Sequence, residues 1–339
     1  MDFTVAPEHR HFGAALHDML AAAGGPAAAR SWTAGDRGPG LKIWRSLTDV
    51  GVTALTVPTG HGGLDAHPVA LVIACEEIGH HAIPGPVAES IAVAPLLLGA
   101  ATGPDRGDFL ARLAAGDLIA TVAAPPVVPY AADANVAGLV LLAEPALGRI
   151  STGQPVRTSR SVDPTRMLTE VAADQPIAHG AGVASVVGRA LDFGAVAIAA
   201  QLLGAGRAIL EASARHARDR VQFGRPVGSF QAVKHQLANV LISLEFARPL
   251  LFAAAVALAS DSSMASRDVS AARVACADAG HRAARVGLQV HGAIAYTAEH
   301  DISVWLTKIE ALRRAWGSQA WHRARVLAAV TAQGSPKCG

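Results

Sequence analysis

The residue types best suited to bind an anion are gathered in one stretch of the chain. Arg220 and Gln222 precede Phe223 and a Gly-Arg-Pro turn, after which come Phe230 and Gln231. We expect a helix to end at the turn and a second helix to begin just beyond it, so that a guanidinium, amides and free backbone N–H groups meet at one corner. Guanidinium groups bind phosphate through paired hydrogen bonds, and helix N-termini favour anions. The pattern therefore indicates a pyrophosphate site, and its alternative is a plain helical hairpin with a solvated Arg220.

A second candidate segment begins at Gln289 and runs through Gly292. Glycine lets a ligand approach the backbone closely, because no Cβ stands in the way. Taken by itself, the segment also fits the ordinary end of a helix followed by a turn.

Both segments resemble signature elements of the acyl-CoA dehydrogenase family. Residues 220–231 match the pattern R-x-x-F-G-x-x-x-x-x-F-Q. Residues 289–299 match Q-x-x-G-G-x-G-[FY]-x-x-E in part, with Ala293 and Ala295 at its second and third glycines. The stretches 57–64, 75–79 and 85–90 also resemble the family's helical N-terminal domain.

The resemblance assigns a role to each residue of the two segments. In the family, these elements contact flavin adenine dinucleotide (FAD) that is held by the neighbouring subunit. The implied assignments are phosphate binding by Arg220 and Gln222, packing at the site by Phe223 and Phe230, and a border to the adenosine part formed by Gln231, Gln289 and Gly292.

The catalytic base of the family has no counterpart in this chain. Acyl-CoA dehydrogenation needs a carboxylate that removes the α-proton while the β-hydrogen leaves as hydride to the flavin. The resemblance places Trp316 at the usual position of that Glu and Gly194 at the alternative position. Neither an indole nor a hydrogen atom takes a proton from carbon. Glu310 is a possible substitute, but its spacing to Arg313 favours a helical ion pair, so no catalytic residue is predicted here.

A missing base and a short middle region are typical of one subunit of the α2β2 acyl-CoA dehydrogenases in bacterial steroid side-chain degradation. The resemblance therefore implies a full-length acyl-CoA dehydrogenase-like partner that brings the Glu, an acyl-CoA substrate, and an electron acceptor such as an electron-transfer flavoprotein. Two alternatives stay open. One is a self-sufficient homo-oligomer that uses an unusual base such as Glu310, and the other is a scaffold that binds no flavin.

Helical periodicity and turn residues divide the chain into three regions. We predict an N-terminal helical domain over residues 1–118, a reduced β domain over 119–191 and a C-terminal four-helix bundle over 192–339. The bundle helices are predicted at 192–219, 229–260, 267–292 and 300–331. The fold class is mainly α with a small β domain, in the acyl-CoA dehydrogenase arrangement.

Composition narrows the class of protein further. The 339 residues are 51% hydrophobic and carry a net charge of +2, which gives no basis for binding nucleic acid. Three scattered cysteines, Cys75, Cys276 and Cys338, argue against disulfides and against a metal knuckle, so no metal site is predicted. The longest wholly apolar run, residues 250–259, is shorter than the ~20 residues that span a bilayer. With no signal peptide recognised, we expect a cytoplasmic protein without membrane contact.

Overall fold

A computed structural model describes residues 6–334. The N-terminal region is helical. Its helices are α1 (Pro7–Ala23), α2 (Gly25–Thr33), α3 (Gly38–Asp49), α4 (Pro68–His80), α5 (Ala94–Gly99) and α6 (Arg106–Ala114), and a π-helical turn, Ala88–Val93, leads into α5. Helix α4 is buried along its whole length because its sequence is apolar on every side, apart from a few acidic and histidine side chains that have partners.

The middle region forms one mixed five-stranded sheet. Its strands are β1 (Ala120–Ala123), β2 (Ala131–Ala132), β3 (Leu139–Glu144), β4 (Arg149–Arg160) and β5 (Met167–His179), in the order β1-β3-β4-β5-β2. Strands β1 and β3 are parallel, and the other pairs are antiparallel. The sheet is small and lies entirely within the region predicted to be β.

The C-terminal region consists of long packed helices and one short hairpin. These elements are α7 (Val183–Asp219), β6 (Val221–Gln222), β7 (Arg225–Pro226), α8 (Gln231–Ala259), α9 (Ala265–His291), α10 (Ile302–Leu312) and α11 (Gln319–Gly334). Helix α7 crosses α4 with backbones in close contact. A Cβ on Gly204 would lie 1.8 Å from the carbonyl oxygen of Glu76, so only glycine permits this packing.

Three details of the predicted bundle are wrong. Helix α7 begins at Val183 rather than near 192. Helix α7 ends at Asp219, before the predicted turn, and that turn is a β-hairpin that leads into α8. The predicted helix over 300–331 is two helices, α10 and α11. Trp316 and Gly317 adopt left-handed conformations between them, with φ of 55° and 93°, which an α-helix cannot accommodate.

Two helices of the described chain, α7 and α8, are long and apolar enough to cross a membrane by length and composition. Most of the apolar stretch of α7 is buried within the protein, as expected for a core helix, whereas most of the stretch in α8 is not.

Candidate functional site

The predicted phosphate corner is an exposed hairpin at the end of α7. Arg220 leaves the helix in an extended conformation, and the hairpin turns at Phe223 and Gly224, both with positive φ. The Phe223 ring stands edge-on to Phe230 at 6.2 Å, and the Arg225 guanidinium lies 4.1 Å from the centre of the Phe230 ring. These contacts fix the shape of the corner while Phe223 itself stays 93% exposed.

The polar side chains of the corner face solvent. Arg220, Gln222 and Gln231 are exposed, and no ion pair involves Arg220 within residues 6–334. The Gln222 amide donates only to the neighbouring carbonyl of Val221, at 2.7 Å. Helix α8 begins without a side-chain cap, so its first N–H groups also point outwards. The corner therefore presents donors that its own chain does not use.

The second predicted segment lies at the end of α9. Gln289 is exposed on the last turn of that helix, and Gly292 follows with a φ of 64°. Open space surrounds the position where a Cβ of Gly292 would stand. A short 3-10 helix, Gly292–Tyr296, continues the chain.

Stacked histidines bring the two segments together. His216, near the end of α7, stacks on His291 at 4.4 Å, and His291 contacts His300 at 5.2 Å. Burial lowers the pKa of His216, and the neighbouring His300 and Arg220 lower it further. Its imidazole is therefore neutral at pH 7 and can stack without charge repulsion. The ends of α7 and α9 are thus held at one edge of the bundle.

The two positions predicted to lack a base are neighbours in space. Trp316 is 2% exposed, and its indole packs on Gly194 so tightly that a Cβ there would lie 2.3 Å from indole atom Cε3. The Trp316 indole N–H donates to Glu89 Oε1 at 3.0 Å. One side chain therefore occupies the space at both positions.

Glu89 was not singled out from the sequence, although it lies in one of the family-like stretches. It is 2% exposed, sits in the π-helical turn, and accepts hydrogen bonds from Trp316 and, at 3.4 Å, from Arg166. A carboxylate within the apolar stretch 87–98 is a sequence signal for a buried partner, because acidic groups are rarely buried unpaired.

A cavity of about 610 Å³ opens beside this buried carboxylate. Its walls come from all three regions of the chain and include Glu89, Tyr130, Arg166, Glu310 and Trp316. It lies between the sheet and the C-terminal helices. Its lining combines apolar side chains such as Val128 and Leu168 with a few charged groups, which suits a ligand that has both an apolar body and polar groups.

Two further buried ionisable groups, Asp133 and Lys308, interact electrostatically with Glu89 and Arg166. Burial raises the pKa of Asp133 to about 7, against the opposing effect of Arg166. Burial also lowers the pKa of Lys308, whose ammonium donates to the Ile83 carbonyl at 3.0 Å. These groups tie the N-terminal region, the sheet and α10 to one another.

The substitute base considered from the sequence is ion-paired. Glu310 accepts from His281 at 2.8 Å and from Arg313 at 2.9 Å, and its side chain is one-third exposed. This confirms the predicted pairing with Arg313. Glu310 is therefore neither buried nor free of partners, as a carboxylate that serves as the base would need to be.

The exposed corner fits the adenosine and pyrophosphate part of FAD. A guanidinium, side-chain amides and an uncapped helix N-terminus match phosphate oxygens, and the bare backbone at Gly292 admits a close ligand. Arg220, Gln222 and Gln231 would hold that part from one segment, and Gln289 from the other.

Comparison with known proteins identifies the family of the chain. The acyl-CoA dehydrogenase N-terminal domain matches residues 6–117, and the acyl-CoA dehydrogenase C-terminal domain matches residues 180–331. The acyl-CoA dehydrogenase IpdE2 of Mycobacterium tuberculosis is 34% identical over 300 residues, which cover 86% of this chain and 87% of the relative.

Solved structures share the fold over nearly the whole chain. The ChsE4–ChsE5 complex from Mycobacterium tuberculosis superposes with a TM-score of 0.82 at 23% identity, covering 98% of this chain and 99% of the other. The Tcur3481–Tcur3483 steroid ACAD gives 0.79 at 19% identity, covering 96% and 98%.

The fold and these similarities define a flavoprotein that acts on acyl-CoA thioesters. The chain belongs to the acyl-CoA dehydrogenase family, whose members are oxidoreductases with FAD as cofactor.

Proposed function

We propose that this chain is the base-lacking subunit of a hetero-oligomeric acyl-CoA dehydrogenase. It contributes the adenosine and pyrophosphate side of an FAD site, and a partner subunit supplies the Glu that removes the α-proton. The observation that carries the proposal is the packing of Trp316 on Gly194, since the indole fills the space at both positions where the family carries its base.

The chain's own residues bind and orient the cofactor in this proposal. Arg220 and the N-terminus of α8 neutralise phosphate charge, and Gln231 and Gln289 donate towards the adenosine part. FAD, when bound, accepts the β-hydrogen of the substrate as hydride. The proton is removed by the partner, because no free carboxylate in the described chain occupies either base position.

An exposed apolar face on α8 supports association with a partner. Leu241, Ile242, Phe246 and Leu250 are each more than 40% exposed, and Phe246 reaches 74%. A row of large apolar side chains on one helix face marks an interaction surface in a soluble protein. The similarity to the ChsE4–ChsE5 complex supports an unlike partner, with an α2β2 assembly as the proposed form.

The substrate is proposed to be an acyl-CoA with a steroid-derived acyl group. Similarity to the Tcur3481–Tcur3483 steroid ACAD supports this class. We further propose that the enzyme works in the cytoplasm and passes electrons to an acceptor such as an electron-transfer flavoprotein.

Glu89 favours a second candidate, a self-sufficient dehydrogenase with a relocated base. It is a buried carboxylate on the wall of the cavity, and it accepts a hydrogen bond from the Trp316 indole that fills the two base positions. Its Oε1 already accepts hydrogen bonds from Trp316 and Arg166, so this carboxylate is held by partners within the chain and is not free to approach a substrate. The unused donors of the exposed corner argue against the third alternative, a scaffold without flavin.

The proposal is tested by expressing the untagged chain alone and together with a full-length candidate partner. The chain alone should be colourless or poorly soluble, and the co-purified complex should be yellow, with FAD measured by its visible absorption. Phe246→Arg should prevent complex formation, whereas Leu147→Arg, at a site 66% exposed on the sheet region, should not. A stable yellow homo-oligomer with one FAD per chain would contradict the proposal and favour the self-sufficient enzyme.

A further inference from the structure

Three histidines and one glutamate converge where α1 packs on α4, far along the chain from the flavin segments. His17 belongs to α1, Glu77 and His80 belong to α4, and His81 caps the end of α4. One ligand atom from each of the four side chains lies within 4.8 Å of all the others. Glu77, His80 and His81 are buried, and the His17 side chain is 39% exposed.

The distances among three of the four ligand atoms suit tetrahedral coordination of one ion. His17 Nδ1 lies 2.8 Å from Glu77 Oε2 and 3.3 Å from His81 Nε2, and His81 Nε2 lies 3.9 Å from Glu77 Oε2. Ligand bonds of ~2.0–2.1 Å to Zn²⁺ put tetrahedral ligand atoms ~3.3–3.4 Å apart. The three distances bracket that value, so small side-chain adjustments would bring these atoms to equal distances from a central ion.

Hydrogen bonding alone leaves this cluster incompletely satisfied. A single proton on His17 Nδ1 faces both a carboxylate oxygen and the Nε2 of His81. In addition, His80 is 7% exposed, and its Nδ1 is buried without a hydrogen-bond partner among residues 6–334. A buried, unpartnered imidazole nitrogen in a group of ligating side chains needs an explanation, and a metal ion provides one.

A second layer of polar contacts orients the ligands. Glu211 Oε2 accepts from His80 Nε2 at 3.1 Å, which leaves Nδ1 as the ligating nitrogen of that ring. Arg207 donates to Glu77 Oε1 at 3.0 Å, which leaves Oε2 turned towards the histidines. Carboxylates that fix the ring of a ligating histidine are typical of metal sites and tune their affinity.

We propose that His17, Glu77, His80 and His81 form a binding site for one Zn²⁺ ion. Three imidazole nitrogens and one carboxylate oxygen are ligands that Zn²⁺ prefers, and four protein ligands leave no open position for a substrate. The site is therefore structural and takes no part in the dehydrogenation. The cysteine spacing predicts no metal site in this chain, and the proposed site uses no cysteine.

The position of the site defines its role. It fastens α1 to α4, and through Glu211 it reaches α7 of the C-terminal bundle. The backbone carbonyl of His80 accepts from the Trp305 indole of α10 at 2.9 Å, so the same corner also contacts the far end of the bundle. A metal here would stabilise the junction between the N-terminal and C-terminal regions.

The test uses the untagged full chain, co-purified with its partner and treated with a chelator. Zn²⁺ is titrated by calorimetry, and Co²⁺ serves as a spectroscopic probe at wavelengths beyond the flavin absorption. We expect one high-affinity Zn²⁺ per copy of this chain, an intense tetrahedral Co²⁺ spectrum, and a melting temperature that rises with Zn²⁺. Glu211→Gln should weaken Zn²⁺ binding by about 10- to 100-fold while the site persists.

His17→Ala should abolish the Co²⁺ spectrum and the thermal shift, and the half-exposed position of His17 makes the variant tolerable for folding. His11→Ala, at an exposed position on the same helix, is the matched control and should behave as wild type. Absence of stoichiometric metal in the wild type, or equal binding by wild type and His17→Ala, would overturn the proposal. A weak octahedral Co²⁺ spectrum would equally overturn it.

Discussion

The exposed hairpin corner and the buried Trp316 region differ in what they keep of the family's site. The corner retains the signature residues, and its side chains point away from the chain that carries them. In the Trp316 region, an indole packs at both positions where the family resemblance places a base. Under the proposed function, cofactor recognition and proton abstraction are separable within one fold. Recognition would rest on outward-facing donors, while proton abstraction needs a carboxylate in one enclosed place.

Packing of the Trp316 indole requires a strained backbone conformation at this residue. A tryptophan at φ 55° is a rare conformation that costs about 1–3 kcal/mol, and it persists only where surrounding contacts compensate. Here the compensation is complete burial of the indole, its contact with Gly194 and its hydrogen bond to Glu89. The break between α10 and α11 therefore helps to place the indole at the two base positions.

The largest effect on the free energy of unfolding is expected at Trp316. Trp316→Ala removes a fully buried aromatic side chain and the donor to Glu89, so the free energy of unfolding should fall by about 3–5 kcal/mol. Trp321→Ala, at a partly exposed position in α11, is the control and should cost less. Urea denaturation measures both. A loss below about 1 kcal/mol for Trp316→Ala would mean that the indole does not hold this region closed.

The free energy of unfolding should also depend on pH through His322, which contacts the Trp316 backbone. His322 is fully buried, with Nδ1 3.1 Å from Ser270 Oγ and Nε2 2.9 Å from the Trp316 carbonyl oxygen, and burial lowers its pKa to about 4. A depressed histidine pKa gives stability that is present above the unfolded value of about 6.5 and is lost as pH falls towards 4.

His322→Gln removes this titration. Between pH 7.5 and pH 5, wild type should lose about 2 kcal/mol more of its unfolding free energy than the variant does. Denaturation curves at the two pH values give the comparison. Equal acid sensitivity of the two proteins would show that the neutral form of His322 is not what the fold requires.

At the exposed corner, we expect a substitution to lower the affinity for FAD and to leave the free energy of unfolding unchanged. Arg220→Ala should weaken FAD binding in the assembled complex by about 1.5–3 kcal/mol, because it removes a charge-assisted contact to phosphate. Arg218→Ala, an exposed arginine at the end of α7, is the matched control. Titration of FAD into stripped complex measures both, and unchanged affinity for Arg220→Ala would return this side chain to a solvated surface role.

The sequence predicts the helical regions and the small sheet because apolar periodicity and turn residues are local signals. It does not predict the break at Trp316, since a left-handed tryptophan is held there by contacts with residues far away in the chain. The same reason hides Glu89, whose partners Arg166 and Trp316 lie far along the sequence. The motif predicts a phosphate site at the exposed corner, but the hairpin geometry of that corner depends on how Phe223 and Phe230 pack.

Single-turnover reduction of FAD by substrate in the assembled complex tests most directly which subunit carries the catalytic base. Glu89→Gln and Glu310→Gln in this chain are compared with replacement of the catalytic Glu of the partner subunit by Gln, after FAD and substrate binding have been verified for each. We expect reduction to stay within a few-fold of wild type for the first two and to slow by about 10²–10⁴-fold for the third. A Glu89→Gln complex that binds FAD and substrate but no longer reduces the flavin would contradict the account and make this chain the catalytic one.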